Sequence, residues 1–99
     1  MHVVSRKTLK EFYQQAGNDD AKAPLEAWFY EARNATWESP ADIKLRYPSA
    51  SFLKDNRVVF NIGGNKYRLI VKLNYSFKTI FIRFVGTHKE YDRINAEGI

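Results

Sequence analysis

No cysteine occurs among the 99 residues, which excludes disulfides, thiolate metal sites and thiol nucleophiles in one step. Histidine is nearly as scarce, with His2 and His88 alone. Glycine (five) and proline (three) are few, and 44% of residues are apolar, the composition of a folded domain rather than a low-complexity chain. No apolar run approaches the roughly 20 residues that span a bilayer, so no membrane partner is expected. Polar Ser5, Arg6, Lys7 and Thr8 stand where a signal peptide carries its apolar segment. The expected location is the cytoplasm, where the sequons at Asn34 and Asn74 carry no meaning. The length fits a single domain over residues 1–99.

What is present is positive charge, unevenly placed. Residues 1–49 hold seven Lys/Arg against seven Asp/Glu, and residues 50–99 hold nine against four, so the whole net charge of +5 lies in the second half. A one-sided cationic surface suits a polyanion, although solubility alone also explains a basic chain.

The apolar period divides the chain at the same place. Met1 to Val4 reads as a short strand. Ser5 then caps a helix with the stripe Leu9, Phe12, Tyr13 and Ala16, stopped at Gly17-Asn18. Asp19 or Asp20 caps a second helix carrying Leu25, Trp28, Phe29 and Ala32, a stripe better suited to core packing than to base stacking. Ser39-Pro40 with Asp42 opens a third helix, closed before Pro48. After residue 50 the period becomes two. Val58, Phe60 and Ile62 alternate, a two-residue loop at Gly63-Gly64 is expected, and Tyr67, Leu69, Val71 and Leu73 follow. That loop would set Ile62 against Asn65, Phe60 against Tyr67 and Val58 against Leu69. A third strand turns Ile80, Ile82 and Phe84 to the core, and a short helix is expected around Lys89 to Ile94. The fold class is α+β, with helices on one face of a mainly antiparallel sheet that ends in a three-stranded meander. The other face carries Asn61, Lys66, Arg68, Lys72 and Arg83.

That face is either solvated or a phosphate-binding surface. Arg83 interrupts an apolar strand and needs a carboxylate or an anion. His88 and Tyr91, three apart, share a side of a helical turn. A His and a Tyr beside two Arg make a workable set for RNA cleavage by internal transesterification, which needs a base for the 2′-hydroxyl, an acid for the 5′-oxygen and cations for the phosphorane. No metal or cofactor is required, and a metal site on His88, Glu90 and Asp92 is a weak alternative.

The run Val59 to Ile70, containing Gly63-Gly64-Asn65-Lys66-Tyr67-Arg68, followed by Ile82 to Asp92, containing Arg83 and Thr87-His88-Lys89-Glu90-Tyr91-Asp92, resembles the HigB branch of the RelE-like toxins over nearly the full length. The resemblance implies a RelE-like fold and an mRNA interferase that cuts message on translating ribosomes. It implies a HigA-type helix-turn-helix antitoxin as partner and, through it, operator DNA. It assigns Arg68 and Arg83 to the scissile phosphate, His88 and Tyr91 to acid–base work in either order, and Asn61, Asn65, Lys66 and Lys89 to RNA positioning. Two other readings are an RNA-binding domain without activity and a gyrase poison of the same superfamily. The complete Arg68, Arg83, His88, Tyr91 set argues against the latter.

Overall fold

Alternating apolar residues from Val58 onward have one face to bury, and the amphipathic helices before them have one stripe to bury. Each needs the other. The computed structural model describes residues 1–99. In chain order it contains β1 (His2–Val4), α1 (Arg6–Tyr13), a 3-10 turn (Asp19–Ala21), α2 (Lys22–Asn34), α3 (Pro40–Arg46), β2 (Ser51–Leu53), β3 (Arg57–Ile62), β4 (Tyr67–Asn74), β5 (Thr79–Thr87) and α4 (His88–Tyr91). The five strands form one sheet in the order β1-β5-β4-β3-β2, with β1 parallel to β5 and the other neighbours antiparallel. The expected class and the β3-β4-β5 meander are therefore present. No helix is long and apolar enough to cross a membrane.

The core lies between the helices and one sheet face. Leu9, Phe12 and Tyr13 of α1 and Leu25, Trp28, Phe29 and Ala32 of α2 meet Val58, Phe60, Ile62, Tyr67, Leu69, Val71, Leu73 and Ile80. Phe60 is its aromatic centre. Trp28 and Tyr47 meet it edge-on at 5.4 Å and 5.1 Å, and Trp37 stacks on it at 6.3 Å. Such pairs add about 0.5–1.5 kcal/mol each beyond the area they bury.

Several local expectations are corrected. α1 ends at Tyr13, so Ala16 is exposed. Ser5 and Ser39 occupy the N-cap positions of α1 and α3 without a side-chain cap bond. Neither Asp19 nor Asp20 caps α2: both belong to the 3-10 turn. The two-residue Gly63-Gly64 loop is a four-residue turn, Gly63 to Lys66, with both glycines at positive φ (62° and 71°). The register thus moves by two residues, to Ile62 opposite Tyr67 and Phe60 opposite Leu69. A two-residue shift preserves the faces, and burial favours it. The shorter loop would have set the polar Asn65 on the core face, where Tyr67 now sits 1% exposed. β2 was not anticipated. Asp55 and Asn56, both left-handed (φ 58° and 59°), turn the chain from it into β3, a conformation their short polar side chains tolerate.

β5 departs from strict alternation. Its register with β4 shifts between Ile70–Phe84 and Val71–Ile82, leaving Arg83 as the extra residue of a bulge. The bulge inverts the alternation beyond it. Val85, not Phe84, packs against the core beside Ile82. β1 pairs β5 only from Thr79 to Phe81, so Arg83 lies on a sheet edge rather than in a central strand.

Asp20 joins the helical layer to the hairpin. Lys66 Nζ donates to its Oδ2 and the buried Tyr67 O–H donates to its Oδ1. The Lys66 hydrogen bond, then that of Tyr67, holds the Asp20 carboxyl below its ordinary range, and the same contacts raise Lys66 and Tyr67. A depressed carboxyl stabilises the fold above its unfolded pKa and loses that contribution as pH falls below about 4. Asp20→Asn is expected to lower stability at pH 7 and to show less acid destabilisation than wild type. Urea unfolding at pH 7 and pH 3 measures both; parallel losses in the two proteins would exclude the latch.

Candidate functional site

The start of β4 and the end of β5 lie side by side, and this corner gathers most of the polar side chains singled out from the sequence. Arg68 is opposite Asn61 on β3 and opposite Gly86 on β5. Its Nη1 donates to the main-chain oxygens of Asn65 (2.9 Å) and Tyr67 (3.3 Å), so the turn that Gly63 and Gly64 permit also aims the guanidinium. The same guanidinium lies 5.9 Å from the centre of the Tyr91 ring, within cation–π range.

The short α4 is set by a reciprocal cap. Thr87 Oγ1 accepts from Glu90 N–H (3.1 Å) and Glu90 Oε1 accepts from Thr87 N–H (2.8 Å), the Thr-x-x-Glu capping box. His88 N–H donates to the Lys66 carbonyl at 3.1 Å, which fastens the first residue of α4 to the hairpin turn. The expected helix over Lys89 to Ile94 thus begins one residue earlier and closes at Tyr91. One turn places His88 and Tyr91 on a common side and brings Asp92 back to the imidazole, with Nδ1 and Oδ2 3.1 Å apart. Asp92 Oδ2 is thus placed to accept from an Nδ1–H of His88, and Nε2 has no hydrogen-bond partner in the chain. Glu90 is engaged by the cap and Asp92 by the imidazole, so the weak metal alternative on His88, Glu90 and Asp92 has no convergent ligand set.

Gly86 makes the corner possible. A Cβ built there would lie 2.5 Å from Phe84 Cζ and 3.2 Å from Glu90 Oε1. The space a side chain would fill belongs to the Phe84 ring and the capping carboxylate.

The remaining residues divide. Asn61, Asn65 and Lys89 belong to the corner, with Asn61 Nδ2 3.4 Å from the Ser49 carbonyl and Lys89 exposed and outside every ion pair. Lys66 turns away to Asp20 on the helical side. Arg83 is the bulge residue of β5. Its guanidinium lies 5.8 Å from the Phe81 ring and lines a cavity with Lys72 further along the sheet. It has no carboxylate partner among the ion pairs. Sequence reasoning missed Asp92 as the orienting partner of His88 and Gly86 as a packing requirement. The i, i+4 spacing and the Thr-x-x-Glu pattern were the available signals.

The far face of the sheet is not simply solvated. Val59 and Ile70 are buried outside the main core, and the chain after α4 returns on their side. There Arg57 Nε donates to the Ile99 main-chain oxygen (2.8 Å) and Lys54 pairs with Glu97 (3.4 Å).

Residues 21–94 match the sequence model of the HigB toxin family, described as the RelE-like toxic component of a toxin–antitoxin system. The mRNA interferase toxin HigB of Escherichia coli is 32% identical over 98 residues, covering 97% of this chain and 92% of its own. The mRNA interferase HigB of Shigella flexneri matches equally. A protein of the same name from a further Escherichia coli strain is 24% identical, with 95% and 91% covered.

Gly86→Ala is expected to displace the Phe84 ring and destabilise the fold by roughly 1–3 kcal/mol, the range for overpacking a filled site. Chemical denaturation checks this. Wild-type stability would mean that the ring gives way freely and that Gly86 is not a constraint.

Proposed function

This chain belongs to the HigB family of RelE-like toxic components of toxin–antitoxin systems, and we propose that it is an mRNA interferase acting through the Arg68–Tyr91–His88 corner. Membership of a toxin–antitoxin family implies a cognate antitoxin. We assign that partner to the HigA-type helix-turn-helix class, with operator DNA bound through it. The substrate is message on translating ribosomes in the cytoplasm. The observation that carries the chemistry is a guanidinium 5.9 Å from the Tyr91 ring, with an imidazole held by Asp92 three residues before that tyrosine on the same short helix.

The geometry suits internal transesterification. With Asp92 holding Nδ1–H, a neutral His88 presents the Nε2 lone pair and takes the proton of the 2′-hydroxyl. The 2′-oxygen then attacks phosphorus while the bond from phosphorus to the 5′-oxygen breaks. Tyr91 returns a proton to the leaving 5′-oxygen, and Arg68 balances the charge that develops on the phosphorane. Proton transfer and charge balance both come from side chains, so the step calls on no metal ion. Asp92 is a positioning residue, since it acts through the ring it orients. Asn61, Asn65 and Lys89 surround the corner as contacts to RNA, and Lys66 holds the turn that aims Arg68. Arg83 contacts the strand beyond the reacting phosphate.

Exposure supports the ribosome as a participant. The side chains of His88 and Asp92 are 52% and 60% exposed, so the corner is shallow and does not enclose an RNA strand. A surface that orients the strand, as a ribosome does, supplies the positioning that accounts for much of a catalysed rate.

His88→Ala and Tyr91→Phe should each reduce cleavage on translating ribosomes by 100-fold or more, the scale of general acid–base catalysis, while antitoxin binding persists. Primer extension on a defined message reads the cuts, and co-purification reads the binding. Wild-type cleavage in both variants would remove these residues from the mechanism.

A further inference from the structure

One concavity on the molecule remains outside the reacting corner. It has a volume of about 380 Å³ and is lined by Asn56, Lys72, Asn74, Ser76, Phe81 and Arg83, among others. That volume lies within the usual range of small-ligand sites, roughly 300–1,000 Å³. Neither Lys72 nor Arg83 takes part in an ion pair, and no carboxylate lines the cavity. Two uncompensated cations in one concavity raise the local potential and draw an anion. The lining also contains amides and a hydroxyl. Asn74 Oδ1 is occupied by the Phe77 N–H (3.0 Å), and its NH2 group has no protein partner. Phe81 is 36% exposed, with the Arg83 guanidinium 5.8 Å from its ring.

The cavity lies further along the same two strands, β4 and β5, that carry the corner. Lys72 follows Arg68 by four residues on β4, a run of about 13 Å at 3.3 Å per residue. Both side chains lie on the face turned from the helices, since their β5 partners are Gly86 and Phe81 while the intervening Leu69 and Val71 are in the core. The returning C-terminal segment engages Arg57 of β3, and on β5 both Arg83 and Phe81 are exposed. Arg83, the extra residue of the bulge, is part of the cavity lining.

We propose that this cavity is a second RNA contact, holding a nucleotide away from the cut with its phosphate between Lys72 and Arg83 and its base against Phe81. The inference rests on the interferase reading and adds a place for the strand on either side of the chemistry. Cations without carboxylates also suit an acidic peptide. The exposed aromatic ring, the amides and the alignment with the reacting corner favour RNA, because stacking on a ring and cation contacts along the backbone are the two elements of single-strand binding.

Titration of the full-length, isotope-labelled protein with a non-cleavable 2′-O-methyl hexanucleotide tests this, with a polyglutamate peptide in parallel. The expected result is that the hexanucleotide moves the backbone amides of Lys72, Asn74 and Phe81 together with those of Arg68 and Tyr91. Lys72→Ala and Arg83→Ala, both surface changes, should each lower the slope of log affinity against log salt by about 0.7. Phe81→Ala should weaken binding roughly fivefold or more with the slope unchanged. Movement of the corner alone, with all three variants binding as wild type, would overturn the proposal. So would cavity shifts with polyglutamate and none with RNA, which would make the cavity a peptide-docking surface. Cavity shifts without corner shifts would support the second contact and count against the Arg68–Tyr91 reading. Stillness at both would overturn the proposal and the RNA reading together.

Discussion

The pairing of Arg68 with Gly86 across β4 and β5 is the constraint from which the geometry of the proposed corner follows. Opposite a residue with no side chain, the Phe84 ring occupies the space beside the strand, and the Glu90 carboxylate can reach back to the start of α4. The cap then brings His88, Tyr91 and Asp92 around in a single turn, beside the guanidinium that the hairpin turn has aimed. Four residues of helix would be marginal alone. Here the helix is tied at its first residue to the Lys66 carbonyl and closed by reciprocal capping bonds.

The second organising feature is the bulge at Arg83. Without it, Phe84 and Gly86 would face the helices, and Arg83 would stand in line with the other outward residues of β5. With it, the core receives Val85 instead of Phe84, Gly86 reaches the Arg68 side of the sheet, and Arg83 leaves the ladder toward Lys72 and Phe81. One extra residue in one strand thus places Gly86 opposite Arg68 and leaves Arg83 in the lining of the cavity with Lys72.

The layers of the fold were legible in the sequence because they depend on period. Leu9, Phe12, Leu25 and Trp28 at helical spacing, and Val58, Phe60, Leu69 and Val71 at strand spacing, all lie in the core where their patterns put them. The misreadings concern tertiary competition. Asp20 has the chemistry of a helix cap, yet Lys66 and Tyr67, 46 and 47 residues away in sequence, take its carboxylate. Gly63-Gly64 signals a tight loop, yet the need to keep the polar Asn65 out of the core sets Tyr67, not Asn65, opposite Ile62. In the site, the His88–Tyr91 spacing was legible because it is local. The bulge at Arg83 was not, because an extra residue leaves no periodic trace in a strand of nearly uniform apolarity. Asp92 and Gly86 were in plain view, but their roles exist only once α4 folds back against β4 and β5.

The proposed chemistry at the Arg68–Tyr91–His88 corner is attack on the phosphate by the RNA's own 2′-hydroxyl, and the new ends report on it directly. A defined message cut by the purified protein on translating ribosomes can be characterised at the scissile position by treatment with polynucleotide kinase and cyclic-phosphate-specific ligation. The expected ends are a 2′,3′-cyclic phosphate on the upstream fragment and a 5′-hydroxyl on the downstream one, with both lost when Arg68 is replaced by Ala. A 3′-hydroxyl facing a 5′-phosphate would mean that water, not the 2′-oxygen, is the nucleophile, and would contradict the mechanism assigned to this corner.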